Sequence, residues 1–177
     1  MQAYLEAPHG RGAHRFGVVL PGAALRCACL LLRGLYTHAF EVSLILALGH
    51  LCLLVGTYEA LAQLLYPLSR AQRAPLSRPQ CRAAGALLCA PMWLAGVLFV
   101  LPEDPFGLYL ATRLLLLASM AWGAVLFWQA LPKLAVPAAL RPPVCLAASG
   151  AYLCVHGLLF AVTGMLLTAV LWLRQVS

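Results

Sequence analysis

The chain has 177 residues, of which 63% are hydrophobic and 10% charged, and its mean hydropathy is +0.89. Soluble domains carry about 25% charged residues, so this composition excludes a water-soluble globule and leaves no room for a separate catalytic module. The net charge is +7, but the basic residues are scattered between apolar runs. That pattern excludes a nucleic-acid surface and suits anionic lipid headgroups.

A spanning helix needs roughly 20 mostly apolar residues. Taken in chain order, residues 1–34 read as a polar N-terminus followed by an amphipathic helix. Residues 1–15 contain Arg11, His14 and Arg15 and lack the order of a cleaved signal peptide. From Phe16 to Leu32 the run is apolar except for Arg26. At about 100° per residue, Arg15, Arg26 and Arg33 fall on one stripe. This predicts a helix in the membrane interface with its arginines towards headgroups. A fifth span is the competing reading, and it would have to hide Arg26 in hydrocarbon at a cost of roughly 2.5–3.5 kcal/mol.

Residues 35–177 read as an all-α transmembrane bundle of four spans. Span 1 covers about Thr37 to Tyr66 and is expected to stop at Pro67. Span 2 covers Cys81 to Leu101, with a kink at Pro91. Span 3 covers Phe106 to Leu131, and span 4 covers Val144 to Leu173. The loops at 67–82 and 132–142 carry Arg70, Arg73, Arg78, Arg82, Lys133 and Arg141 and no acid, whereas the 102–105 turn carries Glu103 and Asp104. The positive-inside rule puts the basic loops in the cytosol or the mitochondrial matrix, with the endoplasmic reticulum or the mitochondrial inner membrane as the expected site.

Ionisable groups inside spans are costly and therefore carry functional hypotheses. Glu41 and Arg113 sit at similar depth on spans 1 and 3, which predicts an intramembrane ion pair. Glu59 lies on the same face of span 1 as Glu41 and continues into Gln63, making a polar stripe. His50 and His156 both reach the middle of their spans, each with a glycine beside it. Two such histidines are candidates for axial ligands of a haem b iron, and no other cofactor is suggested. Gly49 and Gly56 on span 1, and Gly150, Gly157 and Gly164 on span 4, recur every seven residues as helix-packing seams. The seven cysteines, including the Cys27-x-Cys29 pair, read as small buried apolar residues. His38 and Glu41 lie one turn apart without a third ligand and carry no metal site.

No hydrolytic triad, P-loop or dinucleotide turn is present, so nothing in the sequence points to catalysis. The leading expectation is an accessory or structural subunit of a larger membrane assembly, partnered by lipids and by other subunits or a second copy of itself. The alternative is a membrane-embedded enzyme or electron carrier acting on lipid or quinone. A small transporter or channel subunit is the third reading.

Overall fold

A computed structural model describes residues 19–37, 40–100 and 106–176. The all-α bundle is what the sequence leads one to expect. Among the described residues five α-helices follow one another: α1 (Leu20–Thr37), α2 (Phe40–Ala71), α3 (Arg78–Ala95), α4 (Phe106–Ala130) and α5 (Arg141–Val176). Short 3₁₀ turns at Gly96–Val100 and Ala138–Leu140 follow α3 and lead into α5. Among the described residues four segments are long and apolar enough to cross a membrane: Phe40–Ala71, Arg78–Leu98, Leu110–Ala130 and Ala138–Trp172. The protein is a multi-pass integral membrane protein. The acidic 102–105 turn, Arg15 and His38 lie outside the described residues.

Pro67 does not end α2, which runs on to Ala71. A proline removes one hydrogen bond from a helix but does not by itself unwind the following turn when that turn is closed otherwise. Here the closure is a Schellman turn. The Ala74 amide donates to the Ser69 carbonyl and the Arg73 amide to that of Arg70, with Arg73 left-handed at φ 58°. The Ser69 hydroxyl also accepts from the Leu76 amide at 3.2 Å. The loop after α4 repeats the device. Val136 donates to Leu131 and Ala135 to Pro132, and Ala135 has φ 59°. α3 then starts on a capping box formed by Ser77 and Gln80.

These two loops meet at one end of the bundle. Leu65, Leu76, Phe127 and Val144 surround a small hollow there, and Ala74, Leu134 and Val136 belong to the buried core. The core runs on through Tyr58, Leu61, Leu88 and Trp93 and takes in Val19, Ala23 and Cys27 from the N-terminal segment. It therefore does not stop at the expected boundary near residue 35.

α1 stands alongside α2. Gly34 lets it approach Ser43, where an added Cβ would meet the serine Oγ at 2.6 Å, and Gly22 packs on the Trp93 ring. Trp93 in turn meets the edge of Tyr58. From Ser43 to Tyr58 is about 22 Å along a helix at 1.5 Å per residue. α1 thus follows α2 across much of the bundle.

Candidate functional site

α4 and α5 touch near the basic end, where the Cys145 thiol reaches the Ala124 carbonyl at 3.8 Å. Towards the other end they part. The gap between them, closed behind by α1 and α2, is a cavity of about 580 Å³. Leu117 and Phe160 border it and are 63% and 55% exposed, so its mouth opens sideways, where the acyl chains of a bilayer would lie.

Three arginines from two helices face this space: Arg26 and Arg33 from α1 and Arg113 from α4. Two histidines join them, His50 from α2 and His156 from α5. The rest of the lining is Gly, Ser, Leu, Met and Phe, and no Asp or Glu is among the described lining residues. The Ser43 and His50 positions lie seven apart on α2, and Thr57 extends the row to a second histidine contact. This Ser43–His50–Thr57 row is a signal the sequence offered and the reading of it missed, because Ser and Thr in spans are cheap and draw no notice.

Arg26 departs from the expected headgroup stripe. It is 3% exposed, and its Nη1 donates to the Met92 carbonyl at 3.1 Å. The reason lies in α3. The Met92 carbonyl lies in the last turn of that helix, which ends at Ala95, and Gly96 lacks the side chain that would otherwise overlap the Arg26 stem. Burying a guanidinium is favourable only with its donors used, and the Met92 carbonyl supplies one acceptor. The Tyr152 hydroxyl donates to the Met92 sulfur at 3.0 Å, which ties α5 to the same residue. Arg33 is half-buried at the cavity wall, and Arg15 lies outside the described residues.

The two histidines are held in the same way. His50 Nδ1 is 3.0 Å from the Leu46 carbonyl. A carbonyl only accepts, so Nδ1 carries the hydrogen. Thr57 gives its one proton to the Leu53 carbonyl at 2.7 Å. Towards His156 Nδ1, 3.3 Å away, Thr57 can therefore only accept. In the neutral form of each imidazole this arrangement leaves the Nε2 lone pair for something else. His156 also sits in an aromatic row on α5, with ring centroids 6.0 Å from Tyr152 and 6.5 Å from Phe160.

The other expected residues divide. Glu41 is exposed in the first turn of α2 and is not among the residues facing the cavity that Arg113 lines. Glu59 and Gln63 border a separate hollow near the basic end with Tyr66, Arg78 and Arg82. The glycine seams also divide. Gly49 and Gly56 receive Leu167 and Leu159 of α5, whereas Gly150, Gly157 and Gly164 have open space beyond them. Among the described residues, packing uses the α2 seam and leaves the α5 seam open. Gly123, not singled out from sequence, matters more than these: it lies against the Leu88 carbonyl, where any side chain would overlap backbone.

Compared with protein-family models, curated proteins and solved structures, the chain matches none.

Proposed function

We propose that this protein binds an anionic amphiphile in the cavity between α4 and α5. The observation that carries this reading is the lining. Three arginines and two histidines face an otherwise apolar space with a sideways mouth and no described lining carboxylate. Arginines gathered along the wall of a cavity in a membrane bundle attract an anion into it, whatever partners they hold within the chain. A carboxylate- or phosphate-bearing ligand provides that anion, and its hydrocarbon part leaves through the mouth. Phe160 also borders a shallow apolar groove along α5 with Gly164, Met165 and Trp172, which continues the path for a long chain. Arginine suits this role because its planar fork meets carboxylate and phosphate in two parallel hydrogen bonds.

The test uses delipidated full-length protein in mild detergent. Oleate should raise its melting temperature in a saturable way, and oleyl alcohol should not. Arg113→Gln should weaken the oleate effect by about tenfold, the loss of one charge-assisted contact. An equal response to both compounds would reject the reading.

A second reading, haem b, is favoured by the paired histidine tautomers. Ligand histidines usually donate their other ring hydrogen to a carbonyl or a similar acceptor, and both do so here. No group of three or more His, Cys, Asp or Glu that could hold a metal ion is present among the described residues. On this reading His50 and His156 would hold the iron, and Arg26, Arg33 or Arg113 would meet the haem carboxylates. A Soret band in the purified protein, lost in His156→Ala, is the expected outcome on this reading.

A further inference from the structure

A second set of arginines gathers at the basic end, away from the cavity. Tyr66 stands near the end of α2, immediately before Pro67, and carries two guanidiniums on its ring. Arg70 lies 4.6 Å from the ring centroid and Arg78 lies 5.4 Å from it. They reach the ring from different helices. Arg70 is one turn further along α2, and Arg78 opens α3. Both backbones are fixed: α2 closes in the Schellman turn through Arg73, and α3 starts on the Ser77–Gln80 capping box. Arg82, one turn after Arg78, joins it and Tyr66 in lining a hollow of about 360 Å³, with Glu59, Ala62 and Gln63 on the α2 side.

Two like charges over one ring repel each other. The ring face offsets part of that cost through cation–π attraction and leaves the N–H edges of both forks for an acceptor. Arg70, Arg78 and Arg82 against Glu59 give three positive charges and one negative, a local balance of +2. A phosphomonoester carries about −1.5 to −2 at pH 7 and matches that balance. A phosphodiester, with a single negative charge, does not. Glu59 also acts as a filter, because it disfavours ligands whose acceptors crowd the α2 side.

Position decides where such a phosphate comes from. Tyrosine and arginine where a spanning helix ends lie at headgroup depth. We infer that Tyr66, Arg70, Arg78 and Arg82 form a binding site for the phosphomonoester headgroup of a membrane lipid. The site is independent of the cavity ligand.

The experiment is native mass spectrometry of the full chain from mild detergent. It is titrated separately with dioleoyl phosphatidic acid, a monoester, and with dioleoyl phosphatidylglycerol, a diester. Each titration is repeated on Arg113→Gln, so that binding in the cavity is read apart. Phosphatidic acid should be retained about tenfold more tightly than phosphatidylglycerol on both backgrounds, as expected for one additional charge-assisted pair. Arg78→Lys keeps the charge but loses the fork and should lower that retention. Tyr66→Phe should keep it, and Tyr66→Ala should lose it. A melting curve for each variant confirms that it is folded. Equal retention of the two lipids, or wild-type retention by Arg78→Lys, would overturn the site. Displacement of phosphatidic acid by inorganic phosphate at the same concentration would overturn the lipid assignment and give the site to a soluble phosphate.

Discussion

Individual residues explain why the helices sit where they do. Gly123 is the clearest case, because an added Cβ there would overlap the Leu88 carbonyl. Backbone cannot yield as a side-chain tip can, so α3 and α4 would have to separate. Gly123→Ala should therefore destabilise the protein by about 1–3 kcal/mol, the usual cost of overpacking, and a thermal melt in detergent reads it. Gly150→Ala, with nothing within 4 Å, should be nearly neutral in the same assay. A second residue-scale test concerns Glu41 and Arg113, which the sequence places at matched depth. Single replacements by Ala should each lower the melting temperature, and the double replacement should cost less than their sum, because a pair is lost only once. Strict additivity would show that the two charges are satisfied separately. The histidines were legible at this scale, since His50 and His156 do meet one cavity. Ser43 and Thr57, which complete the arrangement, were not, because small hydroxyl residues in a span have no distinctive signature.

Helices read well from hydropathy, and their ends read less well. The four spans are present, but proline proved a poor marker of the end of α2, and the decisive feature was a left-handed residue six positions later. Arg73 and Ala135 both adopt positive φ, where an L residue costs roughly 1–2 kcal/mol and glycine costs none. Arg73→Gly and Ala135→Gly should each stabilise the protein, by roughly 1 kcal/mol after the extra chain entropy of glycine is subtracted. Chemical denaturation in mixed micelles checks this, and destabilisation would show that the Arg73 or Ala135 side chain outweighs its strain. α1 was the least legible element. Its arginine stripe matched an interfacial helix, and nothing in its own 18 residues announced that Gly96 and the Met92 carbonyl, some 70 positions away, would receive Arg26. A periodic pattern identifies the face of a helix, but the partner that covers that face is a property of the rest of the chain.

At the scale of the whole molecule, α5 presents the broad apolar face on which assembly turns. Its Leu158, Met165, Leu166 and Trp172 are exposed, and a Cβ added at Gly150 or Gly164 would meet nothing within 4 Å. Lipid covers such a face as well as a protein does, since helix association in membranes draws on close packing rather than on hydrophobicity. The expectation of a subunit in a larger assembly is tested by size in mild detergent. A complex larger than one 19.0 kDa chain, disrupted by Gly150→Leu, would support it, and a stable monomer would remove it. The central claim, that the cavity holds an anionic amphiphile, has a more direct test. The full chain is extracted gently from its membrane, released from the micelle in a mass spectrometer, and its adducts are identified in negative-ion mode. The account predicts one bound amphiphile carrying a carboxylate or phosphate per chain, depleted in Arg113→Gln. A bare chain that also fails to take up added oleate, or an adduct that is electrically neutral, would contradict it.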